Sequence, residues 1–174
     1  MPKQVILYIA TSIDGFIAKQ DGGIDWLPSP EDPLDSLGYQ ALLARTSVIA
    51  MGSKSYEQIV GFGAWAWPQK QTHVFTSRKL ACADPSLSFV DEKPSAWLAK
   101  RQADDTLGDI WLLGGAELTH AFAAEGLIDE CIITVIPITL REGIKLVLPW
   151  HNFAHPSTQT CVAGMVQHTY RCKS

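Results

Sequence analysis

The sequence predicts an α/β domain whose central sheet is mostly parallel and closes with a C-terminal antiparallel hairpin. Three features carry that expectation. Short, almost uninterrupted apolar runs suit strands buried on both faces, stretches of helical spacing separate them, and two alternating runs flank Gly164 near the end. Val5–Ile13 reads as the first buried strand, broken by Asp14-Gly15, and the turn-rich Lys19–Pro33 reads as a long loop. Helical spacing returns over Leu34–Arg45, a second short strand covers Ser47–Met51, and Gly52-Ser53 opens the helix SKSYEQIV. After the GFGAWAWPQKQ loop, strands are expected at Thr72–Thr76 and, more weakly, at Leu87–Val90. A helix over Ser95–Ala103 is signalled by Pro94. Asp109–Leu113 is a strand ending at Gly114-Gly115, Ala116–Glu125 is a helix closed by Gly126, and Glu130–Ile138 is a long β-branched strand.

Composition limits the function classes. At 174 residues, 47% apolar and 18% charged, the chain can bury a sizeable core and is expected to form one domain over 1–174. Its net charge of -4, without a run of like charges, argues against electrostatic nucleic-acid binding. No stretch is apolar for long enough to span a membrane, and the N-terminal apolar run is interrupted by Ser12 and Asp14. Cys82, Cys131, Cys161 and Cys172 show no C-x-x-C spacing, so reduced thiols in a cytoplasmic protein are expected. His151 and His155 are flanked by Pro149 and Pro156, which argues for a loop and against a metal site. His73, His120 and His168 are isolated, and solvent exposure or hydrogen bonding is expected of them. Glu57 reads as solvent-exposed.

In open α/β sheets, ligands bind beyond the carboxyl ends of strands, where helix N-termini present unpaired N–H groups. Two junctions have the right form, MGSKSYEQ at 51–58 and LLGGAELTH at 112–120, each joining strand to helix through glycine. Neither has the spacing of a G-x-G-x-x-G or P-loop motif. A third strand end, VFTSRK, offers Thr76, Ser77 and Arg78. Arg78 and Lys54 could provide cationic contacts to phosphate.

IATSIDGFIA, GGIDWL, MGSKSYEQI, HVFTSR, LLGGAEL and GLIDECIITVIP, in that order, resemble the dihydrofolate reductase superfamily over nearly the whole chain. The similarity is greatest to the branch containing the reductase domain of the bacterial riboflavin-biosynthesis deaminase–reductase. The resemblance implies a three-layer dihydrofolate-reductase-like fold and an NADPH-dependent reductase of a pyrimidine or pterin-like heterocycle, with NADH as the other possible cofactor. A 5-amino-6-(5-phosphoribosylamino)uracil reductase-like activity leads. Dihydrofolate reduction and nucleotide binding without turnover are the alternatives. The partner is then a small-molecule substrate, and the expected assembly is a homodimer.

The same resemblance implies roles by position. Ile9 and Ala10 lie beside the nicotinamide, under a flap formed by residues 14–26. Gly52, Ser53, Lys54 and Ser55 meet the pyrophosphate, with Thr76 at the neighbouring strand end. Ser77 and Arg78 face the adenosine ribose and its 2′-phosphate. Gly114 and Gly115 form a cis Gly–Gly turn, and Ala116, Glu117 and Leu118 continue the cofactor wall. Thr134 points toward the substrate, and Asp25 and Trp26 could border its pocket. Ser53 stands where the superfamily usually has arginine, and the D-N-P motif of the riboflavin branch is absent. Glu31, Asp32 and Asp35 are near the expected pterin-holding carboxylate, but none falls clearly on it. No catalytic residue is assigned. Asp14 could order the flap by accepting backbone N–H bonds.

Overall fold

The computed structural model describes residues 2–28, 37–154 and 158–173, with backbone alone for 158–161. The chain runs β1 (Val5–Thr11), β2 (Phe16–Ala18), α1 (Tyr39–Arg45), β3 (Thr46–Gly52), α2 (Ser53–Val60), β4 (Gln71–Phe75), β5 (Leu87–Val90) and α3 (Pro94–Gln102). It continues through β6 (Asp109–Gly114), α4 (Ala116–Ala124), β7 (Glu130–Val135), β8 (Ile144–Lys145), a 3-10 turn (Trp150–Asn152), β9 (Thr158–Val162) and β10 (Met165–Arg171). An eight-stranded sheet has the order β5-β4-β3-β6-β1-β7-β10-β9. Its pairings are parallel from β5 to β7, and β10 then runs antiparallel to both β7 and β9.

The apolar runs are continuous because the sheet is covered on both faces, so successive residues feed opposite cores. Val5 and Leu7, Val48 and Ala50, and Ile110 and Leu112 face a cluster that includes Trp97 and Phe122 of α3 and α4. Their neighbours Ile6, Ile49, Met51 and Trp111 face a second cluster with Leu42 and Tyr56 of α1 and α2. This gives the expected three layers.

Several boundaries move for local reasons. The first strand stops at Thr11 because the chain turns: the Ser12 N–H donates to the Phe16 carbonyl and the Phe16 N–H to Ser12 Oγ, leaving Ile13 63% exposed. Glu130–Ile138 is a strand only as far as Val135, since Pro137 has no N–H for a ladder. Helix α1 starts at Tyr39, behind Gly38 at φ +77; the earlier part of its expected span falls at residues 29–36, outside the described residues. Glu31, Asp32 and Asp35 lie there too, as does His155 in the other undescribed stretch. The ribbon formed by β2 and β8 has no clear sequence signal, being five residues in all. Among the described residues no helix is long and apolar enough to cross a membrane.

Candidate active site

Strand β1 sits in the middle of the sheet, yet Tyr8, Ile9 and Ala10 are only half-buried. The register shows why. β1 pairs with β7 as far as Thr11, but with β6 only as far as Leu7↔Leu112. The two central strands therefore part beyond that point. In an open α/β sheet such a parting is where a ligand crevice is expected, here between Ile9-Ala10 on one side and Gly114-Gly115 on the other. On the opposite side of β6, a register shift between Ala50 and Met51 lets Met51 pair with Gly114 and brings the end of β3 up to the same turn.

The two glycine junctions meet there. The Gly114-Gly115 peptide is cis, as the resemblance implies, with Gly114 at φ +115. A Cβ built on Gly52 would stand 3.9 Å from the Gly114 carbonyl oxygen, the Gly115 nitrogen and Leu118 Cβ, and one on Gly115 would stand 3.4 Å from Ser55 Oγ. Helices α2 and α4 thus begin side by side. Neither start is capped by a side-chain hydrogen bond, so first-turn N–H groups at Ser53–Ser55 and Ala116–Leu118 are not taken up by their own caps. Glycine at both junctions adds no Cβ of its own to the notch, and the paired dipoles favour an anion. These features fit the diphosphate of a dinucleotide.

The nearby cations are already paired. Lys54 Nζ lies 3.0 Å from Glu117 Oε1 across the two helix starts, with both side chains exposed. Arg78, past the end of β4, donates to both oxygens of Glu57, at 3.1 and 2.6 Å. The hydrogen bond from Arg78 holds the Glu57 carboxyl below the usual range. Thr76 Oγ1 accepts from the Arg78 N–H at 3.0 Å and fixes the local turn, and Ser77 is exposed beside it.

On the other face of β1, Tyr8 makes edge contact with Trp111 and a tilted contact with Tyr39. Its hydroxyl donates to the Leu37 carbonyl at 3.2 Å. Burial raises the Tyr8 phenol above its ordinary range, and a hydrogen bond from Gln167 works the other way. Thr134 is buried, and its hydroxyl accepts from Gln167 Nε2 at 3.0 Å. Tyr8, Gln167 and Thr134 therefore form one hydrogen-bonded polar group. Of the three, only Thr134 stood out in the sequence. The available signal was a glutamine between Met165 and Thr169 on a strand of alternating pattern, at an inward position.

The expected flap is anchored at its root. Asp14 accepts the N–H groups of Arg141 at 2.7 Å and Leu140 at 3.2 Å, and the Ser12 hydroxyl at 2.6 Å. The Ser12 bond, followed by the backbone bonds, holds this carboxyl below its usual range. Asp14 thus ties strand end to the 140s loop. Farther along, Gln58 of α2 donates to the Gly22 carbonyl at 3.0 Å, fastening the loop to the helix beside the crevice. Asp25 is exposed and pairs with Lys19 at 2.8 Å, whereas Trp26 packs with Leu37, Ile136 and Met165. The structure therefore brings together Ile9, Ala10, Gly52–Ser55 and Gly114–Leu118. Asp25 is a loop anchor, and Trp26 belongs to the packing around Ala10, with its indole nitrogen unpartnered among the described residues.

The profile of the RibD C-terminal domain matches residues 3–147. The chain belongs to that family. Another sequence similar to this RibD C-terminal domain is an uncharacterized Bacillus subtilis (strain 168) protein, YwjB, 38% identical over 147 residues, covering 84% of this chain and 83% of the other. Among solved structures, a putative riboflavin biosynthesis protein from Shewanella sp. PV-4 superposes with a TM-score of 0.81 at 28% identity, covering 100% of both chains. Enterococcus faecalis dihydrofolate reductase, complexed with NADP(H) and RAB-propyl, shares the fold with a TM-score of 0.69 at 17% identity, covering 98% of this chain and 97% of that one. The chain thus belongs to the RibD C-terminal domain family and has the dihydrofolate reductase fold.

Proposed function

We propose that the chain is an NADPH-dependent reductase, also able to accept NADH, that delivers hydride to a heterocyclic substrate of the aminopyrimidine class, at C1′ of its ribosyl group. The leading substrate is a ribosylaminopyrimidine such as 5-amino-6-(5-phosphoribosylamino)uracil. The observation that carries this reading is the parting of β1 from β6 beside two uncapped, glycine-opened helix starts. A crevice of this form suits an extended ligand with an anionic middle and a planar end.

The roles follow from position. The first-turn N–H groups of Ser53, Lys54 and Ser55, with those of Ala116, Glu117 and Leu118, would hold the diphosphate across the Gly52 and Gly114-Gly115 notch. Ile9 and Ala10 would bear the nicotinamide, while Thr76, Ser77 and Arg78 would take the adenosine ribose and its 2′-phosphate. The reduced dinucleotide supplies the hydride, so the protein's contribution is chiefly approach geometry and exclusion of water. Thr134 would face the substrate, oriented by Gln167 and Tyr8. The single Tyr8 O–H is directed to the Leu37 carbonyl, so Tyr8 would act by holding Gln167 in place beside Thr134. Trp26 would close the pocket behind Ala10, and Asp25 would hold the loop through Lys19.

The test is loss of absorbance at 340 nm when the protein, NADPH and the aminopyrimidine are mixed. Turnover with the aminopyrimidine and not with dihydrofolate is expected; consumption with dihydrofolate alone, or with neither, would overturn the assignment. Arg78→Ala is expected to weaken NADPH at least about tenfold more than NADH, since only NADPH carries a 2′-phosphate. Equal losses in a fluorescence titration would remove Arg78 from the 2′ position.

A further inference from the structure

We infer that Glu57 sets the choice between the two dinucleotides, by occupying Arg78 and opposing a 2′-phosphate. The inference rests on the reading above, in which Arg78 lies at the adenosine ribose.

The guanidinium of Arg78 is engaged fork to fork: Nη1 reaches Glu57 Oε2 and Nη2 reaches Oε1. Those are the two parallel donors that a phosphate monoester would use. Glu57 stands at the fifth residue of α2, and helical side chains lean toward the N-terminus, so its carboxylate lies toward the first turn, on the side facing the end of β4 where Arg78 stands. The second cation of the rim is neutralised in the same way, by Glu117 on the facing helix. Lys54 and Arg78 are thus each matched by a carboxylate, Glu117 and Glu57, while Lys79 beside Arg78 is exposed. No second guanidinium compensates, because Ser53 stands at the junction.

The two dinucleotides meet this rim differently. A 2′-hydroxyl can donate to the Glu57 carboxylate while the ion pair stays intact. A 2′-phosphate must draw Arg78 away, which is easy because exposed pairs are weak, but it then lies beside an uncompensated Glu57 of like charge. The carboxylate is thus a contact for one ligand and a repulsion for the other.

The test is a fluorescence titration of the full chain with NADPH and NADH, using wild type, Glu57→Gln and Arg78→Ala. Glutamine keeps the size and amide-level hydrogen bonding of the side chain, and thermal melts confirm that each variant is folded. Glu57→Gln is expected to tighten NADPH about tenfold and to leave NADH unchanged or slightly weaker. Lowering the salt should strengthen NADPH binding more steeply in Glu57→Gln than in wild type, and an equal salt dependence would overturn the role of Glu57. Unchanged NADPH affinity in Glu57→Gln, with a selective NADPH loss in Arg78→Ala, overturns the role of Glu57 and leaves the reductase reading standing. Equal tightening of both ligands also overturns it. Failure of the wild type to bind either dinucleotide overturns both.

Discussion

Gly52→Val is expected to raise the dissociation constant for NADPH by more than about tenfold while the protein stays folded. Gly52 has φ -82, a conformation open to any residue. Its Cβ would meet neighbours at 3.9 Å, an ordinary van der Waals separation, so a Cβ is accommodated and the two valine γ-methyls are the atoms that intrude on the space beyond it. Losing glycine as the residue before the helix costs about 1 kcal/mol at most. What the new side chain fills is the notch facing the Gly114 carbonyl and the Gly115 N–H, where the two helix starts meet. Gly114→Ala is a poorer probe, because φ +115 would strain alanine and confuse binding with stability. Parallel titration and thermal melting separate the effects. Wild-type affinity in Gly52→Val would show that the notch is not where the dinucleotide lies.

Acid is expected to destabilise this protein through His73 by up to about 3 kcal/mol, and His73→Phe should remove most of that loss. His73 is buried against Trp97 and shares a 2.9 Å hydrogen bond with Ser88. Burial, with the Arg101 charge adding to it and Glu92 opposing it, lowers the imidazole from 6.5 to about 4. Above 6.5 the ring is neutral in folded and unfolded chains alike, and its contribution is fully present. Between 6.5 and about 4 only the unfolded chain takes up the proton, so stability falls with falling pH. Phenylalanine keeps the edge contact with Trp97 but cannot titrate. Urea unfolding near neutrality and near the lower limit of that window should show wild type losing about 2–3 kcal/mol more than the variant. Equal losses would mean that other groups govern acid unfolding.

Much of this architecture was legible because it follows from period and punctuation. Val5–Leu7, Val48–Met51 and Ile110–Leu112 are apolar at every position, and only a sheet covered on both faces satisfies that pattern. The alternation around Gly164 gave the hairpin, and Ala163 at φ +50 with Gly164 at φ +79 makes its turn. Both glycine junctions were legible for the same reason, since a strand passing directly into a helix through glycine leaves few alternatives. The β2–β8 ribbon was not, because two- and three-residue strands separated by more than a hundred residues carry no periodicity. Nor could spacing reveal that Glu57 holds Arg78, or that Gln167 reaches Thr134, since both depend on strands and helices distant in sequence. The exposure expected of Glu57 agrees with its position, but exposure alone said nothing about its partner.

The most direct measurement is a backbone-amide NMR titration of the full chain with NADPH. The two-junction account predicts that the largest shifts fall together on Ser53, Lys54 and Ser55, on Ala116 and Glu117, and on Ile9 and Ala10, and saturate with one affinity. Shifts confined to one junction, shifts centred elsewhere on the surface, or no response at millimolar ligand would contradict it.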